Sequence, residues 1–527
     1  MEAKPKIEQF IERVFSVNCD FIQKHFKNTR DKSLWYRVNH ATRTMYAPGM
    51  DVLRVNQPEL TRFLGAAETF IKRDIDDPIF DWKHLNLFWY YEPETIETGL
   101  RNIIENYKDR KISVDIETRD LSWDDNYLLA IGFAVDENTC FAFSSIPCHL
   151  YGLLEEALNL PNVKYIWHNG KFDCTRLRFM CNVRARIDGD TEIKHYVQVS
   201  EVKGTHKLKM LGPVFLQAPQ WDDELEEFKK KWCRENKVLL KNFKYDMIPI
   251  EILIPYLQRD CIATYRLDDV FEQIKEPGTD WIYSKLIEAS NVFIDLELNG
   301  VMLNTLHVCK LERELREELD NANAQVAKGV KFFWNPVEYA KDTGAKYIEE
   351  FNINSPKQLK WLLSKAVGKQ LDSTDAATID ALTSQADNFP EHTKELLTGI
   401  ARTRKASKYL DTYVVAMQRV CCKDGRVRGS YLLHGTETGR LSSKDPNMQN
   451  IPRNKHIKKI FMATPGYRLL QLDYSQAELR VLGVLSGDEF LIQSYKDDKD
   501  LHSNVAQKIF GENFTKEQRT QCKTICQ

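Results

Sequence analysis

The chain has 527 residues, 43% hydrophobic and 28% charged, with a formal net charge of -2. That length is too great for one hydrophobic core and predicts roughly three or four domains, and the composition excludes disordered and fibrous classes. No run of about 18 apolar residues occurs and the start, MEAKPKIEQF, has no apolar h-region, so neither a membrane span nor a signal peptide is expected.

Residues 1–108 mix helical patterns with aromatic stretches such as FDWKHLNLFWYYEPE (80–94) and offer no catalytic constellation, so no role is assigned to them. KISVDIET (111–118) alternates as an apolar strand, YLLAIGFAVD (127–136) reads as a second, and VKYIWHN (163–169) as a third that leads into a helix near Lys171. Alternating strands and helices to about residue 275 predict an α/β domain. From about 280 to 418 the pattern is helical, with Gly300 as a C-cap and Ser355-Pro356 as a helix start. GRVRGSYLLHG and GYRLLQLDYS (466–475) return to strand character, and helical patterns run from there to the end.

The basic stretches FKKKW (228–232), KNFKY (241–245), ARTRKASK (401–408) and PRNKHIKK (452–459) read singly as solvated faces, since nucleic-acid binding needs a focused patch. The 12 cysteines form no CxxC pair and are expected as reduced thiols of a cytosolic protein; Cys522 and Cys526 alone make a poor metal site.

Asp115 and Glu117 are two apart on a strand, so both carboxylates project from one face. HNGKFD supplies Asp173 at a helix start, and YLQRD supplies Tyr256 and Asp260 on one helical face. Clustered, four carboxylates repel one another unless cations lie between them, and hard Mg²⁺ or Mn²⁺ suits such oxygen ligands. A pair of ions about 4 Å apart clamps both the attacking and leaving oxygens of a phosphodiester. Tyr256 is placed to orient the water, its hydroxyl being a weak base at neutral pH.

VDIET, HNGKFD and YLQRD, in that order, resemble the three motifs of the DEDDy 3′–5′ exonucleases found in the proofreading domains of family A DNA polymerases. The resemblance implies an RNase H-like domain with Asp115, Glu117, Asp173 and Asp260 as metal ligands, Tyr256 in the tyrosine role and Asn169 as the motif's asparagine. THKLKML (205–211) is similar to that family's HxLKxL segment.

HGTETGRLSSKDPNMQNIPR (434–453) and LLQLDYSQAELRVLGVLSGDEFL (469–491) resemble two central motifs of family A polymerases of the bacterial polymerase I type, and FNINSPKQLKWLL with STDAATIDAL resembles the thumb. LLQLD itself reads as an apolar strand ending on Asp473. The resemblance implies that Asp473 and the carbonyl of Tyr474 bind two further divalent ions. By the same pattern Gln476 and Glu478 line the sugar pocket, His502 lies near the phosphates, and Arg519 and Lys523 bind the triphosphate. Gln527 stands where the family has an aromatic residue, which sets sugar discrimination and stacking apart. Arg440, with Thr438 and Gly439, and then Gln449 and Asn450, are implied to contact the primer–template minor groove, whose acceptors are nearly degenerate. Arg480 is expected to be a structural ion-pair residue.

The expected organisation is α/β and α multi-domain. It runs 1–108 unassigned, 109–278 exonuclease, 279–408 helical thumb, 409–486 partial palm, and 487–527 the start of fingers, ending within the nucleotide-binding helix. The family's second catalytic-aspartate motif lies beyond residue 527, so the expected function is the N-terminal portion of a DNA polymerase. It has proofreading exonuclease activity, and it takes primer–template, single-stranded 3′ ends and dNTPs in the cytoplasm, a host's if phage-encoded. Polymerisation is expected only with a C-terminal fragment, from a natural or intein-mediated split, an incomplete sequence being the other origin of the break. A stand-alone exonuclease and a DNA-binding scaffold subunit are the competing readings, and intact Asp473 and Glu478 weigh against both.

Overall fold

Ile112, Val114 and Ile116 alternate with Ser113, Asp115 and Glu117 along one strand, and the two sets face opposite sides of a six-stranded sheet. The computed structural model describes residues 26–28, 30, 38–39, 44–53, 63, 67, 82–199, 204–216, 218–497 and 500–525. The strands are β1 (Asn86–Tyr90), β2 (Lys111–Thr118), β3 (Leu128–Ala134), β4 (Thr139–Ser144), β5 (Lys164–Trp167) and β6 (Gly189–Asp190), in the order β1-β4-β3-β2-β5-β6. β2, β3 and β4 form an antiparallel meander, and β1, β5 and β6 add in parallel at its two flanks. This layer begins upstream of residue 109, because β1 pairs with β4 and α1 (Pro93–Asn106) buries Ile96, Leu100 and Ile103 in the same core. Residues 26–28, 38–39 and 44–47 form a separate short sheet.

One face of the sheet is covered by α1, α2 (Tyr151–Ala157), α3 (Gly170–Cys181) and α4 (Thr191–Gln198), over a core that includes Val114, Phe133, Tyr165, Trp167 and Leu177. The other face carries α5 (Leu208–Leu211), α6 (Asp223–Glu235) and the long α7 (Ile250–Ile274), whose Leu257, Cys261 and Ile262 pack over Ala130 and Ala134. Gly132 on β3 makes this approach possible: a Cβ there would lie 2.6 Å from Cys261 Sγ. Ser113 Oγ donates to the Cys261 carbonyl at 2.5 Å and fixes α7 against β2.

The helical stretch that follows is α8 (Asp280–Asn299), α9 (Thr305–Phe333), α10 (Pro356–Val367), α11 (Ala376–Ser384) and α12 (Glu391–Lys408), with shorter turns between them. Gly300 caps α8 at φ 52, and the Ser355 side chain accepts from Gln358 N at the start of α10, as the sequence predicts. Leu359, Leu362, Leu363, Leu396, Leu397 and Ile400 form the core of this part. β7 (Val301–Leu303) lies between β8 (Arg426–Val427) and β11 (Phe461–Met462), all antiparallel, while β9 (Ser430–Leu432) and β10 (Ser442–Lys444) form a hairpin around the loop 433–441.

The chain divides into two compact units, Met1–Met462 and Ala463–Gln527. The second contains α13 (Ala477–Ser486), α14 (Glu489–Lys496), α15 (Leu501–Phe510) and α16 (Lys516–Ile525). The strand expected over 466–475 does not form. An apolar run becomes a strand only when a neighbour completes its ladder, and here Leu470 and Leu472 are 82% and 84% exposed with nothing to bury against. Among the described residues no helix is long and apolar enough to cross a membrane.

Because Gly132 has no space for a side chain, Gly132→Val should lower the unfolding free energy by about 1–3 kcal/mol through overpacking under α7, read by urea denaturation.

Candidate active site

The expected carboxylates come from three elements. β2 presents Asp115 and Glu117 toward α7, α7 returns Asp260, and one oxygen from each of the three lies within 4.8 Å of the others. Asp173, in the first turn of α3, joins them: its Oδ1 accepts from Ile116 N, between the two acids of β2, at 3.3 Å. Asp260 is oriented by Trp221, whose Nε1 donates to Oδ1 at 2.5 Å. Tyr256 lies one turn earlier on α7.

Position 169 adopts φ 63, a left-handed conformation that asparagine tolerates, and so starts α3 at Gly170. Asn169 N and Gly170 N donate to the buried Asp190 carboxylate at 3.1 and 2.8 Å, which sets the angle at which α3 delivers Asp173. Asn169 also lines a cavity of about 500 Å³ that it shares with Trp123, Phe172, Arg176, Arg428 and Lys444. Arg176 lies over the Trp123 ring at 4.0 Å there.

Lys209 on α5 is the lysine of the HxLKxL-like segment THKLKML. Its ammonium contacts Asp260 and lies 4.1 and 4.5 Å from the Tyr256 and Trp221 ring centroids. A lysine drawn among carboxylates and aromatic faces stands where a cation is favoured, and the all-oxygen donor set suits a hard divalent ion. The donor set and this stand-in charge therefore fit the expected metal.

Burial dominates the electrostatics. It raises the Asp115 carboxyl to about 6 against the pull of Lys209. Burial, followed by the Asp115 charge, holds Glu117 and Asp173 well above the usual carboxylate range. Burial also pushes the Tyr256 hydroxyl well up and brings the Lys209 ammonium down to about 7.

The remaining expected residues are placed as follows. Thr438, Gly439 and Arg440 are exposed on the loop between β9 and β10, and Gln449 and Asn450 are exposed on a short turn whose Asn450 carbonyl accepts from Tyr413 Oη at 3.0 Å. In the second unit Asp473, Tyr474 and Glu478 are exposed, and Gln476 Oε1 accepts from Tyr495 Oη at 3.0 Å. Among the described residues Arg480 makes no ion pair of the expected kind; it lies over the Tyr495 ring at 4.6 Å and donates to the Ser475 carbonyl at 2.8 Å. His502 N donates to Asp500 Oδ1 at 3.1 Å, and Arg519 pairs with Asp500 Oδ2 at 2.7 Å. Lys523 is on α16, its side chain outside the description, and Gln527 lies outside the described residues.

Residues 91–275 match the family model for 3′-5′ exonuclease, and residues 326–526 match the model for DNA polymerase family A. The chain thus carries a region similar to 3′-5′ exonucleases followed by a region similar to DNA polymerase family A. It is 29% identical to the DNA polymerase of Escherichia phage T5 over 449 residues, 80% of this chain and 50% of that one. It is 28% identical to the DNA polymerase of Bacillus phage SP01 over 432 residues, 71% of this chain and 45% of that one. With DNA polymerase I of Borreliella burgdorferi the identity is 27% over 444 residues, 80% and 44%. The chain thus spans about half the length of the curated relatives it matches. A solved structure of the POL domain of Pol1 from M. smegmatis, in complex with DNA primer-template and dNTP, shares the fold. Its TM-score is 0.60 at 19% identity, covering 83% of this chain and 70% of that one.

Raised carboxyl pKa values mean that protons compete with metal. At pH 5 the Asp115 carboxyl is largely protonated and at pH 8 it is free, so Mn²⁺ should raise the melting temperature at pH 8 and much less at pH 5. The Mn²⁺ shift should vanish in Asp115→Ala/Glu117→Ala, as measured by differential scanning fluorimetry.

Proposed function

We propose that the chain is the N-terminal portion of a DNA-directed DNA polymerase with a DEDDy-type 3′–5′ exonuclease, polymerising only when a partner polypeptide completes the region around Asp473. The observation that carries the exonuclease reading is the convergence of Asp115, Glu117 and Asp260 oxygens within 4.8 Å, with Asp173 bound to the Ile116 N–H between the first two.

Asp115, Glu117, Asp173 and Asp260 would hold two Mg²⁺ or Mn²⁺ ions. Such ions, when bound, supply the acidity that makes hydroxide available at neutral pH and the charge that steadies the departing 3′ oxygen. The protein's own groups do the positioning. The Tyr256 hydroxyl stays protonated, so it orients the attacking water by hydrogen bonding and does not remove its proton. Trp221 holds the Asp260 carboxylate in register. The cavity at Asn169 has an aromatic wall in Trp123 and Phe172 on which an unpaired base would stack, while its four cationic side chains are matched by four carboxylates.

For synthesis, Thr438, Gly439, Arg440, Gln449 and Asn450 would hold the primer–template. Asp473 and Tyr474 would hold a second pair of ions, and Gln476, Glu478, His502, Arg519, Lys523 and Gln527 would surround the dNTP. A triphosphate would replace Asp500 as the partner of Arg519. Support for a partner chain comes from the second unit's surface: Leu469, Leu470, Leu472, Val484 and Leu485 are all more than half exposed, an apolar patch of a kind that marks an interface. The cytoplasm of a cell, a host cell if the gene is viral, is where these substrates occur.

Purified chain with Mg²⁺ should digest single-stranded oligonucleotides from the 3′ end. Activity should fall to background in Asp115→Ala/Glu117→Ala and by about 10²-fold in Tyr256→Phe. Primer extension should be absent for the chain alone and appear when the missing polypeptide is added. Extension by the chain alone would overturn the partner reading, and failure to digest any 3′ end would leave a DNA-binding subunit.

A further inference from the structure

The loop that carries Thr438, Gly439 and Arg440 is anchored from outside its own hairpin. At its base Tyr196 Oη donates to the Thr436 carbonyl at 2.8 Å, and His434 Nε2 lies 3.3 Å from Glu192 Oε1. Tyr196 and Glu192 are both on α4, which belongs to the exonuclease sheet and precedes the loop by more than 230 residues. Thr436 Oγ1 in turn donates to the Arg440 carbonyl at 2.6 Å, so the residue held by Tyr196 closes the turn on which Arg440 sits. Gly435, between the two anchored positions, has no lateral room: a Cβ there would lie 1.8 Å from Ser442 Oγ.

The two anchors share one buried support. The His206 ring stands edge-on to Tyr196 at 5.6 Å and to His434 at 5.8 Å between centroids, and its Nδ1 is 2.8 Å from His195 Nδ1. His195 is also on α4. Behind α4, the Asp190 carboxylate accepts from Glu192 N at 2.9 Å and Ile193 N at 3.3 Å, and also from Asn169 N and Gly170 N at the start of the helix that bears Asp173. A run of packed, hydrogen-bonded groups therefore connects the carboxylate cluster to the tip of the β9–β10 loop.

We infer that Tyr196, Glu192 and His434 are positioning residues for duplex DNA: α4 of the exonuclease domain fixes the Thr438–Arg440 turn at the angle needed to enter the primer–template minor groove. None of the three touches the nucleic acid. Their effect reaches it through the backbone of residues 434–440. This rests on the proposed duplex contact of Arg440.

The test uses the full chain, a fluorescent primer–template hairpin for binding, and a single-stranded oligonucleotide for digestion. Arg440→Ala serves as the reference and should weaken hairpin binding. Tyr196→Phe, Glu192→Ala and His434→Ala should each weaken it by about 3- to 10-fold, the first through one lost hydrogen bond and the others through the lost His434–Glu192 contact. KM and kcat on the single strand should stay unchanged. His434→Gln, which keeps a donor and an acceptor, should return near to wild-type binding. In a double-mutant cycle Tyr196→Phe should cost little further once Arg440 is alanine. If Arg440→Ala leaves hairpin affinity unchanged, the duplex reading of the loop fails. If Arg440→Ala weakens binding while Tyr196→Phe and His434→Ala do not, the positioning role is overturned and the duplex reading stands. Parallel loss of single-strand digestion and hairpin binding in Tyr196→Phe would also overturn it, by showing a general structural role.

Discussion

Like charge confined in a dry space is the constraint around which the first unit is built. Two unit charges about 4 Å apart repel by roughly 4 kcal/mol at an effective dielectric of about 20. Asp115, Glu117 and Asp260 place oxygens within 4.8 Å of one another. Such a group persists only if protons or cations occupy it, and the fold supplies one cation of its own in Lys209. The surrounding structure serves to keep the acids from moving apart. Ser113 binds the backbone of α7, Gly132 lets that helix descend onto the sheet, and Trp221 fixes the Asp260 carboxylate.

The two units differ in how far their chemistry is assembled by local contacts. In the first, residues from positions 115 to 260 meet through three buried elements, each locked by side-chain to backbone bonds. In the second, Asp473 sits on an exposed segment without a ladder, and Arg519 is already neutralised by Asp500. The exposure of Tyr474 and of α13's apolar side chains is the same fact seen from the solvent side.

The first site was legible because its signals are periodic. Two acids alternating with Val114 and Ile116 state a strand face, and Tyr256 with Asp260 state one face of a helix, whatever the tertiary context. Lys209 was marked only by the HxLKxL resemblance of its segment and Trp221 by nothing, since neither has a spacing that distinguishes it from an ordinary surface lysine or core tryptophan. Their roles arise only when α5 and the segment after it fold beneath α7. Periodicity also misled at LLQLD, where an apolar run gave a strand signal with no neighbour to pair with. It was silent at NLFWY, whose parallel pairing to β4 joins segments 53 residues apart.

Asp190 holds two helix starts at once, accepting from backbone N–H groups of both α3 and α4, whose positive ends converge on its carboxylate. The hydrolytic acid Asp173 and the aromatic anchor Tyr196 therefore ride on helices pinned to the same carboxylate. Removing that carboxylate would strip four backbone donors of their acceptor and loosen both helix starts together, whereas a change confined to the Tyr196 hydroxyl leaves the pin in place.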